Sequence, residues 1–227
     1  SVAFAGPLLS RTHNDSGGIH FMGESSTGKT TILQAACSVW GGKQFKRTWL
    51  ATANGLEGVA AMSNDCLLAL DEISQCEPHH IGAVIYMIGN ETGKQRANKS
   101  GAARTPTRHK IAVISTGERT ITDAMLEGGK RSKAGQGVRL IDVLVGARFG
   151  CFDELHGHGS SKELVDAIAV TASQHYGHAG RRFLESLVSD ERDLVERLAE
   201  IRALPEFNPD NADGQCSRVA SRFALFA

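Results

Sequence analysis

The stretch "GGIHFMGESSTGKTTIL", residues 17–33, constrains the fold more than any other part of this 227-residue chain. An apolar run ends at Met22, small and hydroxylated residues follow, and Lys29 stands directly before two threonines and a second apolar run. The spacing Gly23-x4-Gly28-Lys29-Thr30 belongs to a loop whose consecutive backbone N–H groups wrap phosphate oxygens. Glycines permit the close approach, and a helix starting near Lys29 adds the partial positive charge of its N-terminus. Lys29 is spaced to reach β- and γ-phosphates, and the Thr30 hydroxyl to ligate Mg²⁺. The candidate ATP-binding residues are therefore Gly23, Glu24, Ser25, Ser26, Thr27, Gly28, Lys29, Thr30 and Thr31. A Gly/Ser-rich turn capped by its own hydroxyls is the bland alternative. The strand-then-helix setting weighs against it.

That setting recurs along the chain. Apolar runs at 18–22, 47–52, 66–70, 111–115 and 139–145 read as strands. "CLLAL" and "IAVIS" are apolar throughout, as in parallel strands covered on both faces. Helical patterns lie between the runs, at about 29–40, 55–63, 79–89 and 120–127. The expected fold over residues 1–150 is α/β, a P-loop core with a five-stranded parallel sheet flanked by helices. Asn54 and Glu57 stand in capping-box register ahead of one of those helices.

Residues 151–203 turn helical. Ser160 and Glu163 form a capping box that opens a helix to about residue 176. Phe183, Leu184, Leu187, Leu194, Val195, Leu198 and Ile201 then recur at helical spacing, with Arg192/Glu196 and Asp193/Arg197 as i,i+4 pairs. "LPEFNPDNADG" carries turn chemistry, so residues 204–227 are read as a linker and the start of a lid helix. The chain starts without Met and stops inside the apolar-periodic "SRVASRFALFA", which reads as a domain excised from a larger protein.

Lys+Arg and Asp+Glu balance at 25 each, so no global field draws nucleic acid and any contact must come from a local patch. Five scattered cysteines, odd in number and without a CxxC pair, suit a reducing, cytoplasmic compartment. No apolar stretch reaches membrane-spanning length, so no membrane partner is expected.

Three further motifs bear on the chemistry. "CLLALDE" ends a buried strand in two carboxylates at the sheet edge where such folds bind ligands. Asp71 is the candidate to hold magnesium through water, and Glu72 to polarise the attacking water. A small-molecule kinase needs the first acid but not the second, which disfavours that reading. "IAVISTGE" ends another strand in Ser115-Thr116, a hydroxyl pair suited to orienting water or sensing the γ-phosphate. "GKRSKAGQGVRLIDV" offers Arg131, Lys133 and Arg139 at the corner from which an arginine can enter a neighbouring subunit's site. A solvated basic loop is the plain alternative for any of the three.

Between residues 92 and 117 there is no acidic residue, while Lys94, Arg96, Lys99, Arg104, Arg108 and Lys110 all fall there. Gly93, Gly101 and Pro106 suggest a hairpin or loop, and the patch suits a phosphate backbone rather than base edges. "HGHG" and His79-His80 lack metal-ligand spacing with other donors and read as loop and cap histidines.

In this order the motifs resemble those of an AAA+ ATPase. More closely, the chain is similar to the helicase-like ATPase domains of bacterial mobile elements and phages, a family long catalogued as a domain of unknown function. The family includes replicative helicases of staphylococcal cassette elements. The likeness runs through "GGIHFMGESSTGKTT", "RTWLATANGLEG", "LLALDEISQ", "GNETGKQRANKSG", "ISTGE", "GKRSKAGQGVRLIDV", "HYGHAGRRFLESL" and "SRVASRFAL", nearly the whole chain. It implies a ring-forming, hexameric, ATP-driven translocase on single-stranded or forked DNA, related to superfamily 3 and minichromosome-maintenance helicases. It also implies Lys29, Glu72, Thr116 (or Ser115) and Arg139 as catalytic groups, with Arg139 the finger arginine and Thr30 and Asp71 at Mg²⁺. Arg218 or Arg222 would be the second sensor. The order Gly89-Asn90-Glu91 departs mildly from the Asn-Gly expected there. A nucleotide-gated loader or assembly switch, with little unwinding of its own, is the alternative function.

Overall fold

The computed structural model describes residues 1–93, 96–97, 103–104, 106–129 and 134–227, with the backbone alone at 96–97, 103–104 and 134. Its strands are β1 (Gly17–Met22), β2 (Arg47–Thr48), β3 (Cys66–Asp71), β4 (Arg96–Ala97), β5 (Ala103–Arg104), β6 (Ile111–Gly117) and β7 (Leu140–Leu144). Five of them form one all-parallel sheet in the order β2-β3-β6-β1-β7. β4 and β5 pair separately as an antiparallel hairpin, Arg96 opposite Arg104. The helices are α1 (Gly6–Arg11), α2 (Lys29–Ser38), α3 (Ala53–Met62), α4 (Pro78–Asn90), α5 (Ile121–Glu127), α6 (Ala134–Gly137), α7 (Ser161–Gln174), α8 (His178–Ser189), α9 (Leu194–Ala203) and α10 (Gly214–Phe226).

Strand side chains alternate between faces, and the two cores divide accordingly. Leu68, Leu70, Ile111 and Val113 belong to a cluster with Trp49 and buried residues of α3, α4 and α5. Leu67, Ala69, Ala112 and Ile114 belong to the opposite cluster with Leu9, Leu33, Leu198 and Leu225. Continuous apolar strands are thus the consequence of helices on both faces. Leu33 on α2 has no exposed surface. Truncating it to Ala is expected to cost about 2–5 kcal/mol, read as a lower urea midpoint at unchanged slope.

Several local features differ from the sequence reading. The run at 47–52 pairs only over β2, because the Thr52 hydroxyl accepts the Gly55 N–H and starts α3 there. Thr52, not Asn54, is therefore the N-cap. Ser160 does cap α7 by accepting the Glu163 N–H, but the Glu163 carboxylate accepts from the Gly159 N–H, and the helix ends at Gln174. The i,i+4 pairs at α9 do not form. Asp193 is spent on the Val195 and Glu196 N–H groups, Arg192 bonds Asp190, and Arg197 bonds Glu200. Residues 204–213 hold a short 3₁₀ turn, Pro205–Phe207, before Asp213 caps α10. All five cysteines are free thiols, and burial pushes Cys37 up to about 12 and Cys76 up to about 11. No helix among the described residues is long and apolar enough to cross a membrane.

Candidate nucleotide site

The loop at residues 23–28 joins the end of β1 to the start of α2. Ser26 and Gly28 both have positive φ, 63° and 91°, which curls the backbone into a concave turn. Gly28 occupies the N-cap position of α2 in the left-handed region, which glycine enters without steric cost. No side chain caps this helix start, so its first N–H groups face outward toward the loop. Gly150 packs directly against the loop. A Cβ there would lie 2.3 Å from the Thr27 carbonyl oxygen, and the neighbouring Cys151 N–H donates to that oxygen at 2.8 Å.

Lys29 is buried, and its ammonium donates to the Gly23 carbonyl at 2.7 Å and the Glu24 carbonyl at 2.5 Å. Beside it opens a cavity of about 560 Å³ lined by Ser25, Ser26, Thr27, Gly28, Lys29, Thr30 and Thr31 on one side. Glu72, Thr116 and Glu118 also line it, as do Phe149, Ser161, Lys162 and Val165. The loop, the acidic strand end and the hydroxyl strand end therefore converge on one space.

Strand parity explains which groups meet there. Asp71 lies on the same face as Leu67 and Ala69, and Thr116 on the same face as Ala112 and Ile114, the α2 side. The Thr116 hydroxyl donates to Asp71 Oδ1 at 2.7 Å, and the Thr30 hydroxyl reaches the same oxygen at 3.2 Å. Asp71 Oδ2 pairs with the Lys46 ammonium. Thr30 and Asp71 supply hard oxygen donors beside the phosphate loop, the donor type that suits Mg²⁺. Of the pair left open by the sequence, Thr116 faces this site and Ser115 faces away from it.

Glu72 follows Asp71 in the left-handed region at φ 58°. Its carboxylate accepts the Ser74 N–H at 3.2 Å and the Ser74 hydroxyl at 2.6 Å, while its own N–H donates to Thr116 Oγ1 at 3.1 Å. The acid is held at the rim of the cavity, one residue past the metal-type donor. This strained turn has no sequence signature beyond the tandem acid itself.

Arg139 lies elsewhere. It precedes β7 at the N-terminal edge of the sheet, where its guanidinium donates to Asn90 Oδ1 at 3.1 Å and sits 5.0 Å from the Tyr86 ring centroid. Arg218 and Arg222 are also at that edge and share with Arg139 a cavity of about 250 Å³. None of these three arginines lines the phosphate-loop cavity of their own chain. Burial lowers the pKa of Arg222, with Arg139 adding to the effect and Asp15 opposing it.

The basic segment also leaves from that edge, since α4 runs back across the sheet before it. Thr92 and Arg108 pair at its base, and Arg96 and Arg104 pair in the hairpin backbone. Lys94, Lys99, Arg131 and Lys133 lie outside the described residues. Lys110 is not part of the patch: its ammonium is engaged by Glu91 at 3.2 Å and by the Asn14 carbonyl at 2.6 Å.

Sequence reasoning missed Lys46, Phe149 and Lys162. Lys46 lies between a 3₁₀ turn at Lys43–Phe45 and a two-residue strand, so nothing in its spacing points to Asp71. Phe149 and Lys162 reach the cavity only through the return of the chain after β7. His20 and Trp49, buried on the other face behind Thr116, were also missed.

Residues 1–108 of the 227 match the family model described as "Domain of unknown function (DUF927)". No curated protein matches the chain. Among solved structures it is similar to one described as "SCCmec type IV Cch - active helicase", at 23% identity and a TM-score of 0.76. That likeness covers 99% of this chain and 40% of the other, so the chain spans well under half of that protein's length. NtrX from Brucella abortus in complex with ATP is also similar, at 14% identity over 99% of this chain and 61% of that one. Its TM-score of 0.39 is too low to bear on the argument. The phosphate loop, the all-parallel sheet and the Cch likeness together give this chain a helicase-like P-loop fold, whose first 108 residues match the DUF927 family model.

Proposed function

We propose that this chain is the ATP-hydrolysing motor domain of a DNA helicase or translocase, serving the replication of a mobile element or phage. The observation that carries the reading is the convergence of Lys29, Thr30, Asp71, Glu72 and Thr116 on one cavity or its rim. A triphosphate in the loop would accept the N–H groups of residues 25–30 and the Lys29 ammonium. Thr30, with Asp71 through water, would hold Mg²⁺, and the ion when bound would supply positive charge against the phosphates. Glu72 takes the proton of the attacking water, and Thr116 orients that water against the γ-phosphate.

In a closed ring of head-to-tail contacts, each subunit meets its neighbour through different faces. That geometry would bring the Arg139 edge of one subunit to the phosphate-loop edge of the next, where its charge offsets that on the transferring phosphoryl group. A homo-hexamer is the assembly proposed. Lys94, Arg96, Lys99, Arg104 and Arg108 are the proposed contacts to single-stranded or forked DNA, made to the backbone without reading bases. The Cch helicase likeness supports this function by fold alone.

DNA-stimulated release of inorganic phosphate, with strand displacement, is the test in the assembled protein. Stimulated hydrolysis without displacement would favour the loader or switch reading. DNA affinity is expected to fall with salt at a log–log slope of roughly −0.7 per contacted phosphate on single strands. Replacing Arg104 or Arg108 with Gln should reduce that slope by about one contact. A slope unchanged in both variants would remove the hairpin from the DNA path.

A further inference from the structure

Behind the nucleotide cavity, on the opposite face of the sheet, three buried polar side chains form one hydrogen-bonded row. Trp49, His20 and Ser115 have essentially no exposed surface. Trp49 Nε1–H is a donor only, so Ser115 Oγ accepts it, at 2.9 Å. His20 Nδ1 lies 2.8 Å from the same Ser115 oxygen, and His20 Nε2 lies 3.0 Å from the Arg119 carbonyl. A carbonyl cannot donate, so Nε2 must carry a hydrogen. In the neutral ring that leaves Nδ1 an acceptor, so the Ser115 hydroxyl donates to it while accepting from Trp49. One neutral tautomer satisfies every partner in the row: Trp49 to Ser115, Ser115 to His20, His20 to Arg119.

The row grips the segment that carries the predicted sensor. Ser115 and Thr116 are consecutive on β6 and face opposite sides. Ser115 is held by Trp49 and His20, and Thr116 by Asp71. Arg119, held by its carbonyl, ends the turn containing Glu118, which lines the cavity. Trp49 is tied to the acidic strand as well, its backbone N–H donating to the Asp71 carbonyl at 3.2 Å. His20 itself lies three residues before the phosphate loop. Loop, acidic strand and sensor strand are therefore cross-braced from behind.

We propose that neutral His20 is the positioning residue for the γ-phosphate-reading segment at 116–119, and that protonating it releases this segment. The proposal rests on the nucleotide-site reading above. An Nδ1–H would turn Ser115 Oγ into a double acceptor and leave its hydroxyl hydrogen without its Nδ1 acceptor in a buried site. Burial, the largest influence, lowers the His20 pKa from its ordinary 6.5. The Arg119 carbonyl and the Glu72 carboxylate favour protonation, and the Lys29 ammonium opposes it. Asp142, the register neighbour on β7, faces the same side and accepts the Ile121 N–H.

Two measurements on the full chain test this. Imidazole ¹⁵N resonances should show His20 as the Nε2–H tautomer at pH 7.5, titrating with a midpoint below the ordinary 6.5. A protonated ring or an Nδ1–H tautomer at pH 7.5 would overturn the proposal. The second measurement is the ratio of ATP to ADP affinity, obtained by displacement of a fluorescent nucleotide. His20→Ala and Ser115→Ala should keep ADP affinity within about threefold and cut the preference for ATP by about tenfold. His20→Gln, whose amide can still donate toward Arg119, should recover part of that preference and lose its pH dependence between 5 and 7. An unchanged ATP preference in variants that bind ADP normally would overturn the positioning role. Wild-type protein that binds neither nucleotide would instead sink the nucleotide-site reading, and the imidazole resonances would then decide the tautomer alone.

Discussion

Glu72→Gln is expected to bind ATP within a few-fold of the wild-type affinity and to hydrolyse it about 10²–10⁴-fold more slowly. The substitution is nearly isosteric. Its amide oxygen can still accept from Ser74 N–H and Oγ, the two bonds that hold Glu72 in its left-handed turn. The backbone N–H bond to Thr116 is untouched. What is lost is the capacity to take a proton from water at the cavity rim. Because phosphate-loop contacts involve neither Glu72 oxygen, ground-state binding should survive, and the change should fall on turnover alone. Asp71→Asn provides the contrast. It weakens the Lys46 ion pair and the oxygen shared by Thr30 and Thr116, so both Mg²⁺-dependent binding and turnover should drop. Normal turnover by Glu72→Gln in the assembled protein would remove Glu72 from the chemistry.

Acid is expected to weaken the fold through the same neighbourhood. His20 is neutral when folded and its pKa lies below 6.5 there, whereas the unfolded chain titrates near 6.5. The unfolded state therefore binds the extra proton between those values. The stabilisation is complete above pH 6.5 and is lost as pH falls toward the folded pKa. His20→Gln should flatten that part of a pH–stability curve measured by urea denaturation.

The phosphate loop was legible because its chemistry demands a linear pattern: glycines where the chain must turn, one lysine, one hydroxyl. The acid pair and the Ser-Thr pair were legible because both close apolar strands, and a parallel sheet sends all such ends to one edge. The choice of Thr116 over Ser115 needed pairing register, which no single strand contains. Lys46 reaches Asp71 from an adjacent loop, and His20 meets Ser115 across a strand pair 95 residues apart in sequence. Contacts of that kind are set by strand order, and the order β2-β3-β6-β1-β7 is not readable from apolar runs alone. Caps misled for a local reason. Thr52 and Asn54 are both good N-caps, and only the turn at residues 49–51 decides between them.

Arg139→Ala is expected to leave ATP affinity nearly unchanged and, if the proposed ring forms, to slow its hydrolysis by about 10³-fold or more. Within its own chain Arg139 cannot reach the phosphates. It stands at the N-terminal edge of the sheet, braced by Asn90 and Tyr86, while the loop cavity opens at the C-terminal edge. Any contribution to the chemistry must therefore cross between subunits, and a mixing experiment can isolate that crossing. A Lys29→Ala subunit lacks a working loop but keeps Arg139, and an Arg139→Ala subunit has the reverse defect. Each alone should be inactive. Mixed in equal amounts, roughly a quarter of head-to-tail contacts would pair an intact loop with an intact arginine. Hydrolysis should therefore reappear in the mixture, provided that subunits exchange. The Arg139→Ala chain must also melt within a few degrees of wild type, since its guanidinium bonds Asn90 and Gly135. Full hydrolysis by Arg139→Ala alone would show that the shared-site arginine lies elsewhere. The remaining arginines of that edge, Arg218 and Arg222, would then be the ones to replace.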